Sequence, residues 1–242
     1  MSEHIVSSYD VELQDLRRRI SEMGGIAEKM LVDSIHALLR RDTPLAQAVI
    51  AADTRLDVLQ REVEEHAILM IARRQPLAVD LRETISAIRV SGDVERIGDL
   101  AKNIAKRALA ISGQFQPQKI VVGVQHMSDL VIAQLKDVLD AYAQQDTRRA
   151  LDVWQRDGQI DALYTSLFRE LLTYMMEDPR NISFCAHLLF CAKNIERIGD
   201  HTTNIAETVH YLVTGEALSA ERPKDDRSSF AVVEPPAGAA DT

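Results

Sequence analysis

Apolar residues recur at three- and four-residue intervals from the start of the chain: Leu13, Leu16, Ile20, Met23, Ala27 and Met30, flanked by Leu31, Ile35 and Leu38. That period belongs to one buried stripe of an α-helix. Thr43 is expected to cap a second helix, with Pro44 in its first turn, where a missing N–H costs nothing. Its stripe is Leu56, Leu59, Val63, Ala67 and Met70, and Pro76 stops it. A third helix carries Val94, Ile97, Ala101, Ile104, Ala108 and Ile111 and fades at Ser112-Gly113. The pattern resumes near Val121, with breaks near Asp146 and Pro179. Connections this short make neighbouring helices antiparallel. Each helix of roughly 30 residues would be about 45 Å long. The expected fold is all-α: two homologous antiparallel three-helix bundles in tandem, at 5–115 and 117–215. Beyond Gly215 the periodicity ends, and the Ala-, Pro-, Ser- and charge-rich stretch 216–242 is expected to be a flexible tail.

The two halves repeat more than their apolar spacing. ERIGDLAKNIA, beginning at Glu95, returns as ERIGDHTTNIA, beginning at Glu196. DTPLAQAVIAADTRLDVL at Asp42 aligns without a gap to DTRRALDVWQRDGQIDAL at Asp146. The first pair is offset by 101 residues and the second by 104. The difference falls between the segments, where loops absorb insertions. Repeated order, capping residues and charges over such a span indicate an internal duplication.

Composition narrows the function classes. Only 5% of residues are aromatic, and no alternating β-branched run bounded by turn dipeptides occurs, which agrees with an absence of strands. A formal net charge of −9 repels phosphate backbones, so nucleic acid is not an expected partner. No run of 18 apolar residues could span a bilayer, and MSEHIVSSYD has no basic-then-apolar leader pattern. Membrane insertion is therefore not expected. Cys185 and Cys191 suit neither a CxxC redox pair nor a zinc knuckle and read as buried, reduced thiols of a cytoplasmic protein. No P-loop, GxGxxG, GxSxG or HExxH motif is present, so no enzyme activity is expected.

The repeated phrase is the candidate for chemistry. On a helix, Glu95, Asp99 and Asn103 rise along one stripe, as do Glu196, Asp200 and Asn204. The stripe lies roughly 170° from the Val94–Ile111 seam, outside the core. Asp53 and Asp57 on the second helix, repeated as Asp157 and Asp161, lie roughly 80 to 115° from theirs. A single acidic stripe is ordinarily a solvated face. Here both copies keep Glu, Asp and Asn while Leu100-Ala101-Lys102 has become His201-Thr202-Thr203. Packing explains constant apolar positions, not constant outward carboxylates. Gly98 and Gly199 also stand mid-helix, at a cost of about 1 kcal/mol each relative to Ala, which points to close approach of another helix. Facing ladders would gather carboxylates that repel one another until a cation intervenes. Oxygen donors suit Mg²⁺, Mn²⁺, Ca²⁺ or iron, and His66 or His201 would admit zinc. Two alternatives stand beside this reading: a metal-free helical scaffold, and a di-iron carboxylate oxidase built on Glu207–His210 and an imperfect Asp33–His36 pair.

ERIGDLAKNIA, ERIGDHTTNIA and the preceding ARRQPLAVDLR resemble the PhoU family of phosphate-signalling proteins, over roughly residues 5 to 215. The resemblance implies two similar three-helix bundles with multinuclear iron or zinc clusters on acidic surface motifs. Carried onto this chain, one cluster would use Asp53, Asp57, Glu95, Asp99 and Asn103. The other would use Asp157, Asp161, Glu196, Asp200 and Asn204. The resemblance also implies negative regulation of the phosphate-starvation response. The implied partners are the ATPase of the high-affinity phosphate ABC transporter and its membrane sensor histidine kinase, with the protein held at the inner membrane through them. The second linker, EDPRNI, lacks the RQP phrase of the first. Long bundles with exposed seams associate, so a homodimer is expected as well.

Overall fold

The computed structural model describes residues 2–76, 78–113 and 118–218. Helices account for nearly all of them, and no strand occurs among the described residues. The first bundle is α1 (Ser2–Arg40), α2 (Thr43–Arg74) and α3 (Val79–Ile111). The second is α4 (Gln118–Gln144), α5 (Thr147–Gln155), α6 (Asp157–Glu177) and α7 (Ile182–Thr214), with a 3₁₀ turn at Pro179–Asn181. The expected tail falls outside the described residues from 219 onward.

The hairpins are closed by one residue used twice. Asp42, not Thr43, is the N-cap of α2, its carboxylate accepting from the Leu45 N–H at 2.9 Å. Its own N–H donates to the Ala37 carbonyl at 3.1 Å, which closes α1. Asp146 does both again, accepting from the Arg149 N–H at 3.1 Å and donating to the Ala141 carbonyl at 2.9 Å. The intervening residues, Arg41 and Gln145, take the left-handed conformation at φ 57° and 52°. Both side chains following the turn could cap, but the carboxylate one residue earlier has the better reach to the third N–H.

The middle helix of the second bundle differs from the unbroken rod expected. Arg156, at φ −85° and ψ −3°, separates α5 from α6. Gly158 weakens helical continuity immediately after it. The break is held in place: Gln134 of α4 donates to the Arg156 carbonyl at 3.3 Å, and the Arg156 guanidinium reaches Asp137 at 2.7 Å.

One contiguous hydrophobic core runs through both bundles. It is continuous because α3 and α7 pack against each other as well as against their own bundles. They run antiparallel. Arg89, early in α3, sits over the ring of Tyr211, late in α7, at 5.5 Å. Arg107, late in α3, sits over Phe190, early in α7, at 4.0 Å. The glycines mark close approach as expected. A Cβ on Gly98 would collide with Cδ2 of the fully buried Leu56, and one on Gly199 would lie 2.9 Å from Cδ1 of Ile160. Cys185 and Cys191 are free and buried, and burial pushes the Cys191 thiol up to about 12.

Candidate metal centre

In each bundle the repeated acids meet where the middle helix packs on the last one. Asp53 and Asp57 come from α2, and Glu95, Asp99 and Asn103 from α3. Asp157 and Asp161 come from α6, and Glu196, Asp200 and Asn204 from α7. The break at Arg156 places Asp157 in the first turn of α6, where a carboxylate complements the helix dipole.

The structure corrects the expectation that these groups lie outside the core. Asp53, Asp157, Asp161 and Glu196 are buried, at 7%, 2%, 4% and 5% exposure. Asp57, Glu95, Asp99, Asp200 and Asn204 are half-buried, and only Asn103 is exposed. A helical wheel referred to one apolar seam misses this, because α3 and α7 each have neighbours on more than one side.

The carboxylates of each set feel one another. Burial raises the Glu95 pKa, and the charges of Asp99, Asp57 and Asp53 raise it further against the opposing Arg96. Burial likewise raises that of Glu196, with Lys193 opposing and Asp200 and Asp161 reinforcing. Oε2 of Glu196 is buried with no hydrogen-bond partner. A buried acceptor left in that state costs about 1–3 kcal/mol.

Of the residues read as drift within the repeat, Lys102 and Thr203 turn out to contact the site. Lys102 extends from α3 to Oδ2 of Asp53 at 2.5 Å and Oδ1 of Asp99 at 2.6 Å. Burial works against its charge, but hydrogen bonds from both carboxylates prevail and raise its pKa. At the equivalent position Thr203 donates to Oδ1 of Asp157 at 2.9 Å. His201 turns the other way, its Nδ1 lying 2.8 Å from Oδ1 of Asp93 in the first bundle, and Asn204 donates to the same oxygen at 3.3 Å. The signal for Lys102 was present in the sequence, since it stands one helical turn beyond Asp99.

Neither expected imidazole joins the acids. His66 Nδ1 lies 3.4 Å from Asp15 on α1, and His201 faces Asp93. The acids proposed for an oxidase have separate partners: Glu207 accepts from the Trp154 indole at 3.1 Å, His210 lies against the Glu216 carbonyl, and Asp33 pairs with Lys29. Among the described residues no three His, Cys, Asp or Glu side chains form a ready-made metal cage. The fit to a hard cation lies instead in the donor chemistry, the shared negative field, and the unsatisfied oxygen of Glu196.

A tandem of two helical bundles joined through their last helices, each with an acidic set between its middle and last helix, defines a class of duplicated all-α proteins. The family model of the PhoU domain matches residues 20–108 and again 124–209, and the chain belongs to the PhoU family. A phosphate-specific transport system accessory protein PhoU homolog of Rhizobium meliloti is 58% identical, over 93% of this chain and 95% of its own. The homolog so named in Caulobacter vibrioides is 54% identical, over 93% and 98%. The crystal structure of PhoU from Pseudomonas aeruginosa superposes with a TM-score of 0.84 at 41% identity, covering 86% of this chain and all of that one. That of the phosphate transport system regulatory protein PhoU from Streptococcus pneumoniae gives 0.80 at 28% identity, covering 88% of this chain and 100% of that one.

Proposed function

We propose that this chain is a non-catalytic regulator that holds the phosphate-starvation response down when phosphate is plentiful. The coarse role, an accessory to phosphate transport, follows from family membership over both halves. In the finer reading the protein links the ATPase of the phosphate ABC transporter to the sensor histidine kinase, in the cytoplasm at the inner membrane. No described helix is long and apolar enough to cross a membrane.

The observation that carries the metal part of this reading is the buried, unpartnered Oε2 of Glu196 within a doubled acidic set. Asp157, Asp161, Glu196, Asp200 and Asn204 would hold a hard cation in the second half, and Asp53, Asp57, Glu95, Asp99 and Asn103 in the first. Iron or zinc is the family expectation, and Mg²⁺ or Mn²⁺ suits the same oxygens. Such an ion would supply the positive charge that cancels carboxylate repulsion. The chain's own acids then tie the middle helix of each bundle to the last and fix the outer face offered to a partner. Lys102 favours a second reading for the first half, a metal-free seam closed by an ammonium.

A deletion strain tests the regulatory role. Phosphatase expression should rise in phosphate-rich medium without this protein, and expression that stays low there would overturn the reading. Metal analysis of the purified chain tests the other part.

A further inference from the structure

A groove of about 830 Å³ opens where α2, α3 and α7 meet, its wall including Gln60, Glu64, Arg89, Gly92, Tyr211 and Leu218. The duplication supplies an internal comparison. Gln60 and Glu64 align with Tyr164 and Phe168 of α6, and Arg89 and Gly92 with Phe190 and Lys193 of α7. In the second half these positions carry rings with cations over them. The Tyr164 and Phe168 rings lie 6.3 Å apart, Lys193 sits 4.8 Å over Tyr164, and Arg107 of α3 lies 4.0 Å over Phe190. In the first half the three ring positions hold polar side chains, and space is left beside them. Among the described residues, a Cβ added to Gly92 would meet nothing within 4 Å beyond its own stretch of helix.

The chain returns to this groove as it leaves α7. Gly215 reverses it at φ 80°, the Glu216 N–H donates to the Thr214 hydroxyl at 3.1 Å, and Leu218 packs half-buried against the core at the groove wall. Residues 219–242 follow, outside the described part, and contain one ring, Phe230, beside Val232 and Val233. Phe230 stands twelve residues beyond Leu218. That length of chain spans up to about 40 Å, enough to bring the ring back into the groove. We propose that the groove is a docking site for a ring-bearing segment and that its occupant is Phe230 of the same chain. Arg89, already 5.5 Å over Tyr211, gives that ring a cationic neighbour of the kind Arg107 gives Phe190. Tethering sets the occupant's effective concentration through the linker, so the contact needs little intrinsic affinity. The docked segment lies beside Glu95, the member of the first acidic set that lines the groove. A partner presenting its own ring at this junction has to displace it. The inference does not depend on the cation reading.

The test is photo-crosslinking in the full-length chain with benzoylphenylalanine placed at position 230 and mass spectrometry of the products. Crosslinks should map to 60–64, 88–96 and 204–211, and the same probe at position 240 should give at least tenfold fewer there. Mixing isotope-labelled with unlabelled chains separates links within one molecule from links between two. G92W, which fills the groove from its open side, should lower the groove crosslinks at least tenfold. G92K, the residue of the second half at this position, is the milder plug and should lower them in the same direction, and circular dichroism checks that each variant folds. Crosslinks scattered over the surface, groove crosslinks formed only between two molecules, or a yield that folded G92W and G92K leave unchanged would each overturn the proposal.

Discussion

His201 Nδ1 lies 2.8 Å from Oδ1 of Asp93, joining α7 to α3 beside the residues of both acidic sets. Asn204 donates to the same oxygen. Asp93 is thus an acceptor shared by two side chains of the other bundle, all three groups being half-buried. Asp93→Ala should cost about 1–3 kcal/mol, because it strands two partly buried groups at once. Urea denaturation measures it, and a double variant with His201→Ala should lose less than the sum of the two single losses.

The two mid-helix glycines should not tolerate a methyl group equally. Cδ2 of Leu56 stands much deeper in the path of a Cβ on Gly98 than Ile160 does at Gly199, so the buried Leu56 side chain must shift. The Cβ of an alanine at 199 meets a terminal methyl of Ile160 at 2.9 Å, which a small χ2 adjustment relieves. Gly98→Ala should therefore destabilise by about 1–3 kcal/mol, and Gly199→Ala by less, despite the helix propensity each gains. Thermal melting of the two variants side by side gives the order.

Glu196 makes the metal-free protein sensitive to pH. Burial first, and then Asp200 and Asp161, raise its folded pKa above 4.5, while Lys193 pulls the other way. Between 4.5 and the raised value the folded chain holds a proton that the unfolded chain has lost. The contribution of this group to stability therefore falls as pH rises through that window and is flat above it. Glu196→Gln should flatten the profile and, with chelator present, stabilise the protein at neutral pH by about 1 kcal/mol. Denaturation midpoints compared across the window show it, and the same variant should bind added Mn²⁺ more weakly.

Asp42 and Asp146 each end one helix and begin the next. Truncating either to alanine removes the side-chain acceptor but keeps the backbone bond to the preceding helix. Each change should cost about 1 kcal/mol, with similar values because the two turns share their geometry. Equilibrium unfolding of Asp42→Ala and Asp146→Ala measures both.

The halves, the helices and most of their ends were legible in the sequence. Periodicity and proline, at Pro76 and Pro179, report on local backbone physics and need no knowledge of neighbours. The break at Arg156 was less visible, because Gly158 only weakens a helix and the residues that hold the break, Gln134 and Asp137, lie on α4. The ten repeated donors could be named, but not their depth. Glu196 sits opposite the apolar seam of its own helix and is buried because α7 is surrounded. Lys102 falls among the positions at which the two copies differ. Its reach across to Asp53 is a tertiary fact, while its contact with Asp99 was written in the i, i+3 spacing.

The guanidinium–ring contacts at either end of the α3–α7 pair carry one more implication. α3 supplies both cations, and α7 both rings. If two first halves from separate molecules were to meet in the same antiparallel register, Arg89 of one would come opposite Arg107 of the other, with no ring between them. Pairing of like halves is thus opposed by charge, and a first half is steered toward a second half.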